Sequence, residues 1–208
     1  MSAILFRRFL AQPFRIAYVL PSSKGLVSRV LKKIDFAKAR VFVEFGPGEG
    51  CYTRELATRM APDARLLVFE LDPELAEHLR DQFRNDQRII VYNQDAATFR
   101  EEVEKLGIPS VDYLISGIPF SYLEPKKKKE ILSTIHEGLT PEGQFIAYQL
   151  TPELRVHTRM FAAHEVEYFL ASIPPMFIVN CHKSKATYRS KKRGKSKAGK
   201  TLREQRAA

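Results

Sequence analysis

The sequence of 208 residues has no tryptophan, two cysteines and no long apolar run. Cys51 and Cys181 lie far apart and form no Cys-x-x-Cys pair, which argues against a disulfide framework and a thiolate metal site. We therefore expect reduced thiols, no bound metal and, since no secretory leader is recognisable, a cytoplasmic location. No apolar run approaches the ~18 residues that span a bilayer. The protein is expected to be soluble or peripherally associated with a membrane.

Basic residues are concentrated at the two ends of the chain. Residues 183–208 hold 11 Lys and Arg and 1 acid, which accounts for the whole net charge of +10. Residues 1–40 hold 9 basic groups and 1 acid, whereas residues 41–182 hold 14 basic and 22 acidic groups. Nucleic acid and an anionic membrane would both suit basic ends, and charge alone does not choose between them. The tail has few apolar residues and is expected to be disordered.

Between the basic ends, apolar segments of strand length alternate with helical patterns. The predicted strands are RVFVEF, RLLVFEL, RIIVYNQ, VDYLIS and GQFIAYQL. Alternation of this kind buries a parallel sheet between layers of helices. Two further strands, EVEYFLAS and MFIVNCHK, are joined by a short turn around IPP and should pair antiparallel. We predict an α/β, doubly wound, seven-stranded Rossmann-like sheet, mostly parallel with an antiparallel C-terminal hairpin.

Three glycines follow the first predicted strand at every second position, directly after an acid. Gly46, Gly48 and Gly50 let the backbone turn sharply and approach a ligand. The next helix presents free N–H groups there, so the turn should cradle a nucleotide-like cofactor. Dinucleotide-binding turns use the spacing GxGxxG, whereas this turn reads GxGxG after Glu44. A carboxylate does not help to hold a pyrophosphate but suits a cationic amino group and a sulfonium, which indicates S-adenosylmethionine.

Two more acids end the next two predicted strands. Glu70 in VFELDP is placed to accept both ribose hydroxyls, and Asp95 in NQDAATF to accept the exocyclic amine of adenine. Each acid alone would more often be a surface or capping residue. Three acids at three successive strand ends are harder to attribute to chance. The predicted cofactor site is completed by Phe45, Pro47, Thr53, Leu71, Ala96, Ser116 and Gly117.

The order of these motifs resembles the class I S-adenosylmethionine-dependent methyltransferases across about Arg40–Lys183. Ribosomal RNA adenine dimethyltransferases also have a glutamate before GPG, an E-x-D and a DA, but carry an Asn-Leu-Pro-Tyr type motif after the fourth strand. Here the segment reads SGIPFSYLEP, without the asparagine that would hold the adenine amine. This segment, the N-terminal FRRFLAQPFRIAYVLPSSKGL and the late IPPMFIVNCHK are similar to the bacterial phospholipid (phosphatidylethanolamine) N-methyltransferases.

The resemblance implies three parts and a function. Residues 1–39 would form amphipathic and basic helices, residues 40–183 the methyltransferase domain and residues 184–208 the basic tail. The implied reaction is N-methylation of the amine headgroup of a membrane phospholipid such as phosphatidylethanolamine. The alternatives are an RNA methyltransferase like the ribosomal RNA adenine N6-dimethyltransferases and an inert cofactor-binding scaffold. The expected partners are an anionic membrane surface and the phospholipid, with nucleic acid a further candidate for the tail.

No residue is clearly placed as a general base. Tyr18, Tyr122 and Glu124 are the candidate catalytic residues for orienting the amine or taking its proton, and Phe120 and Tyr122 could face a methylated ammonium. Ordinary packing is the alternative for both tyrosines. The run of four lysines at 126–129 is more often a solvated face than a binding site.

The first residues form an amphipathic pattern. Apolar side chains from Ile4 to Leu10 surround two arginines, and Pro13 limits the segment to about three helical turns before a helix begins near Ser22–Ser23, whose hydroxyls can cap it. Such a segment could lie on an anionic membrane but not cross it. Packing over the cofactor cleft is the alternative.

Overall fold

The computed structural model of the protein describes residues 23–185. The strands are β1 (Val41–Phe45), β2 (Arg65–Phe69), β3 (Ile89–Tyr92), β4 (Val111–Ser116), β5 (Leu139–Gln149), β6 (Ala163–Phe169) and β7 (Met176–His182). The α-helices are α1 (Lys24–Leu31), α2 (Cys51–Arg59), α3 (Pro73–Phe83), α4 (Phe99–Lys105), α5 (Pro125–Gly138) and α6 (Leu154–His157). Short 3-10 turns occupy Ala96–Thr98 and Phe120–Tyr122. Tyr18, the N-terminal amphipathic segment and most of the basic tail lie outside the described residues.

The strands form one sheet in the order β3-β2-β1-β4-β5-β7-β6. Pairing is parallel from β3 to β5, and β7 runs antiparallel to both β5 and β6. The predicted fold class is therefore confirmed. The chain winds outward in opposite directions from β1, through β2 on one side and β4 on the other. This reversal opens a crevice at the carboxyl ends of the strands, where ligands of such sheets bind.

Two apolar layers cover the sheet, one on each face. One layer includes Phe45, Phe69 and Phe99, whose rings meet edge to face. The other includes the α1 residues Val30 and Leu31, both at most 1% exposed. Because the central strands are buried on both faces, they read as continuous apolar runs instead of alternating ones.

Side chains fix where two of the helices begin. The Ser23 hydroxyl accepts from the Leu26 N–H at 3.2 Å and caps α1, in agreement with the predicted helix start. The Asp72 carboxylate accepts from the Glu74 and Leu75 N–H groups at 3.0 Å, and Pro73 occupies the first turn of α3. Helix α6 spans only 4 residues, which is too short to leave a periodic pattern by which the sequence could predict it.

Both cysteines are free thiols. Cys181 on β7 is fully buried, and this burial raises its pKa to about 12. Cys51 is half-buried at the first position of α2, directly after the glycine turn. Within residues 23–185, no helix has the length and apolar character that crossing a membrane would require.

Candidate active site

The glycine turn after β1 uses backbone conformations that other residues rarely adopt. Gly46, Gly48 and Gly50 have φ angles of 63°, 59° and 75°. These lie in the left-handed region, where a Cβ atom would be strained. The Gly46 N–H donates to the Phe69 carbonyl at 2.9 Å, which ties the turn to the end of β2. A Cβ on Gly46 would also meet Ile118 at 3.4 Å, so the loop after β4 closes the other side of the turn.

Glu44 lies beneath this turn, near the end of β1, and is 1% exposed. Its Oε2 atom accepts from the Thr53 hydroxyl at 2.7 Å, whereas its Oε1 atom is buried with no hydrogen-bond partner. Burial raises the pKa of Glu44 to about 8; the Thr53 hydrogen bond opposes this shift and repulsion by Glu70 adds to it. An unsatisfied buried carboxylate oxygen is costly. It therefore fits a cofactor that brings a cationic amino group to this end of the cleft.

Glu70 follows β2 and lines the cleft at 8% exposure. One carboxylate oxygen accepts from the Gly48 N–H at 3.2 Å and the other from the Asp72 N–H at 3.0 Å. These bonds fix the carboxylate between the glycine turn and the start of α3. A carboxylate held in this position is suited to accept hydrogen bonds from the two vicinal hydroxyls of a ribose.

Asp95 lies at the far end of the cleft and is already engaged. Its Oδ1 atom accepts from the Ala97 N–H at 2.8 Å and forms an ion pair with Lys127 Nζ at 3.1 Å. Lys127 belongs to the lysine run, for which a solvated face was expected. That expectation is wrong for two of its members, because Lys128 is 5% exposed and pairs with Glu153 at 2.5 Å. The start of α5 is thus anchored to both neighbouring loops.

The loop after β4 approaches the glycine turn very closely. The Gly117 N–H donates to the Phe45 carbonyl at 2.8 Å. A Cβ added at Gly117 would lie 2.3 Å from the Tyr148 hydroxyl and 2.8 Å from the Gly46 carbonyl oxygen. In protein structures a Cβ atom essentially never approaches a non-bonded heavy atom more closely than 3.0 Å. The loop therefore has no room for any side chain at position 117.

The side chains of Phe120 and Tyr122, further along this loop, lie in different environments. Phe120 is 1% exposed and packs edge to face against Phe145, so the hypothesis that Phe120 faces a methylated ammonium is wrong. Tyr122 is 57% exposed and lines the cleft. Gln149 holds the loop in place, since it accepts from the Phe120 N–H at 3.1 Å and donates to the Ile118 carbonyl at 2.7 Å.

The cleft has a volume of about 550 Å³, a size typical of small-molecule sites. The structure brings together on its wall the predicted residues Gly46, Gly48, Glu70, Leu71, Asp95, Ala96, Gly117 and Tyr122. Four predicted residues lie fully buried around the turn instead: Glu44, Phe45, Thr53 and Ser116.

The remaining predicted residues lie elsewhere, and some wall residues were not predicted. Pro47 is not on the wall, and a Cβ on Gly50 would meet Leu79 at 2.8 Å, so Gly50 serves packing. Glu124 is exposed at the start of α5, off the wall. The wall residues that the sequence did not predict are Phe69, Asp72, Pro73, Leu75, Gln94, Ile118, Pro119, Leu123, Lys127 and Ile131. Two of them left a signal in the sequence: Gln94 precedes the acid at a strand end, and Asp72 completes the E-x-D motif that begins at Glu70.

Comparison with known proteins identifies the family and the fold. The profile of the Ribosomal RNA adenine dimethylase family matches residues 20–131. The ornithine lipid N-methyltransferase of Singulisphaera acidiphila is 28% identical over 183 residues, which cover 87% of this chain and 95% of that protein. The ribosomal RNA small subunit methyltransferase A of Acidobacterium capsulatum is 38% identical over 95 residues, which cover 46% of this chain and 32% of that protein.

Among solved structures, the precorrin-6y C5,15-methyltransferase of Geobacter metallireducens has the same fold. Its TM-score is 0.61 at 18% sequence identity, and the match covers 79% of this chain and 91% of that chain. Together with the family match, this fold confirms the predicted enzyme class and its cofactor, S-adenosylmethionine. The chain belongs to the ribosomal RNA adenine dimethylase family and is a class I S-adenosylmethionine-dependent methyltransferase.

Proposed function

We propose that the protein methylates the amine headgroup of a membrane lipid. The observation that carries this proposal is the lack of space at Gly117. When the prolines of the Asn-Leu-Pro-Tyr type motif and of Gly117-Ile118-Pro119-Phe120 are aligned, the asparagine that would hold an adenine amine falls at position 117. The Tyr148 hydroxyl occupies the space that the Cβ of such a residue needs. The loop is therefore built for an acceptor other than adenine.

Similarity to a lipid-modifying enzyme supports the same choice. The match to the ornithine lipid N-methyltransferase covers 95% of that protein, whereas the match to the ribosomal RNA enzyme from Acidobacterium covers 32%. We infer an acceptor with an amine headgroup, of the phosphatidylethanolamine or ornithine lipid kind. Both present the same chemistry, a primary amine at the surface of a bilayer.

The residues of the cleft have separable tasks in this reaction. S-adenosylmethionine supplies an electrophilic methyl group for attack by the lone pair of a neutral amine. Glu70 and Asp95 would hold the ribose and adenine, and Glu44 the amino group, so that the methyl donor is fixed. Tyr122 would orient the incoming amine or face the methylated product by cation–π attraction. Tyr18 and Glu124 remain further candidates, the first outside the described residues and the second off the wall.

Methyl transfer from labelled cofactor tests the proposal. The protein is incubated with radiolabelled S-adenosylmethionine and, separately, with total lipid and with ribosomal RNA. We expect label in lipid only, and then in vesicles that contain phosphatidylethanolamine or ornithine lipid. A Glu70→Ala variant should incorporate much less label into the same pool. Label that enters only RNA would refute the proposal.

The second candidate function is N6-dimethylation of ribosomal RNA adenine. The match of the family profile to residues 20–131 favours it. The same labelling experiment decides between the two candidates, because each acceptor is present in only one pool.

We further propose that the enzyme is peripheral to an anionic membrane, with the N-terminal segment as one contact. Arg7 and Arg8 lie among five apolar side chains in this segment. Basic residues near an anionic leaflet contribute roughly 1 kcal/mol each. Deletion of residues 1–12 should reduce co-sedimentation with anionic liposomes. Undiminished sedimentation would instead support a segment that only packs over the cleft.

A further inference from the structure

The hairpin that joins β6 to β7 ends in an uncharged tip, residues 170–175, which we call the apolar tip. Leu170 is 70% exposed and Ile173 is 93% exposed. The only polar side chain of the tip, Ser172, is 5% exposed, and its hydroxyl donates back to the Phe169 carbonyl at 3.3 Å. The tip therefore presents an apolar surface to its surroundings.

The exposed fraction of the outward-facing apolar side chains increases along β6 toward this tip. On the outer face of the strand, Val166 is 37% and Tyr168 is 51% exposed, before Leu170 at 70%. The opposite face is covered by α1, since Arg29 of this helix pairs with Glu167 and a Cβ on Gly25 would meet Phe169 at 3.3 Å. Contiguous exposed apolar surface of this kind marks an interaction site.

Strand register places the apolar tip at the same edge of the sheet as the cleft. Ser116 at the end of β4 is level with Ala147 on β5, and Ala147 is level with Val179 on β7. The tip begins beyond Met176, three residues further along β7. At about 3.3 Å per residue it projects roughly 10 Å past the end of β4, and two strand spacings put it roughly 10 Å to the side. The tip thus stands beside the mouth of the cleft.

We propose that the apolar tip inserts into the surface of a lipid bilayer and holds the mouth of the cleft against the headgroups. This inference rests on the proposed lipid acceptor. Three exposed lysines lie near the beginnings of helices at the same edge: Lys24 on α1, and Lys126 and Lys129 on α5. None of the three forms an ion pair with another residue of the described range 23–185. Their charge complements an anionic leaflet around the inserted apolar side chains.

Vesicle flotation with the full-length protein tests this proposal. Binding is measured on vesicles of phosphatidylethanolamine and phosphatidylglycerol, at low and at high salt. The wild-type protein should keep a salt-resistant component of binding, because burial of apolar side chains is not screened. Ile173→Glu and the uncharged double variant Leu170→Ser/Ile173→Ser should each lower that component about tenfold or more.

The matched control is Met160→Glu. Met160 is 38% exposed, and its replacement by glutamate introduces the same charge as Ile173→Glu. It lies toward the opposite edge of the sheet, since neighbouring Phe161 contacts His136 near the end of α5. This variant should bind vesicles like the wild type. Circular dichroism and melting temperature establish that every variant is folded.

Three outcomes distinguish failure of this inference from failure of the proposed function. Equal binding of wild type and Ile173→Glu would overturn the inference. Absence of vesicle binding, with a dimer that Ile173→Glu dissociates, would also overturn it and make a second copy the partner of the tip. Binding that depends on the tip, without methylation of any lipid in vesicles or detergent micelles, would support the inference while refuting the proposed lipid acceptor.

Discussion

The buried carboxyl of Glu44 makes the stability of the cofactor-free protein depend on pH. Its pKa is raised from 4.5 to about 8, chiefly by burial, so the folded state holds this proton more tightly than the unfolded chain. The stabilisation is complete below pH 4.5 and is lost as the pH rises toward 8.

A Glu44→Gln variant cannot ionise at this position. We expect it to match the wild type near pH 4.5 and to exceed its stability at pH 8 by up to a few kcal/mol, at about 1.4 kcal/mol per pKa unit. Thermal melts across this range check the prediction, and calorimetry should show weaker binding of S-adenosylmethionine by the variant. Parallel pH profiles for the two proteins would contradict it.

Glu70 is expected to contribute most directly to cofactor affinity. Loss of a charged hydrogen-bonding partner costs about 1.5–3 kcal/mol, so Glu70→Ala should weaken binding of S-adenosylmethionine roughly ten- to a hundredfold. Isothermal calorimetry measures the change, with Asp81→Ala as control because Asp81 is exposed on α3, off the cleft wall. Unchanged affinity in a folded Glu70→Ala protein would remove Glu70 from the site.

Gly117 should not tolerate even a methyl side chain. In Gly117→Ala the Cβ would meet the Gly46 carbonyl and the Tyr148 hydroxyl, so the loop after β4 must move away from the glycine turn. We expect a loss of about 1–3 kcal/mol in stability and weaker cofactor binding. Gly107→Ala is the contrasting variant: no atom lies near its added Cβ, and its φ of 67°, a left-handed conformation that Gly117 does not share, leaves backbone strain as its cost. Wild-type behaviour of Gly117→Ala would mean that Tyr148 can move freely.

Individual residues also show which parts of the site the sequence could predict and which it could not. Glu70 and Asp95 were found because an acid that ends a parallel strand must lie at the ligand-binding edge. The contact of Tyr148 with Gly117 was not found, since the two residues meet only through the pairing of β4 with β5. The Lys127–Asp95 ion pair was hidden for the same reason, because the two residues are brought together only by tertiary packing.

The 3-10 turn Phe120–Tyr122 is the element that should control turnover. Its backbone is fixed by Gln149 and by the buried Phe120 ring, which leaves the Tyr122 side chain at the cleft wall. We expect Tyr122→Phe and Tyr122→Ala to lower kcat about tenfold or more, with little change in cofactor affinity. Steady-state kinetics on the true acceptor, with calorimetry for the cofactor, separates the two effects. Full activity of both variants would make Tyr122 a packing residue only.

Elements were predicted best where the pattern was long and repeated. The strands and longer helices of the core follow from apolar runs and helical periodicity, and Asp72 fixes the start of α3. The short 3-10 turns and α6 left no such pattern. The early part of β5 also escaped prediction, since Leu139–Glu142 pairs irregularly around a bulge near Val111 and contains a proline.

At the scale of the whole molecule, we expect the basic C-terminal tail to contribute to binding of anionic surfaces but not to the stability of the fold. Residues 186–208 hold 9 basic groups and 1 acid, and β7 ends before them at His182. Their deletion should leave melting temperature and cofactor affinity unchanged while the salt-sensitive part of binding to anionic vesicles falls. Thermal melts, calorimetry and vesicle flotation measure these quantities. Unchanged vesicle binding with a loss of affinity for ribosomal RNA would assign the tail to nucleic acid instead.

The unequal burial of the two cysteines has a practical consequence. A thiol with a pKa of about 12 inside the sheet is almost never a thiolate at neutral pH, so Cys181 does not react while the protein is folded. Cys51 is accessible at the first residue of α2, next to the turn that holds the cofactor. An alkylating dye would therefore label one defined sulfur without mutagenesis. The native chain carries its own attachment point for a fluorescent reporter of cofactor occupancy.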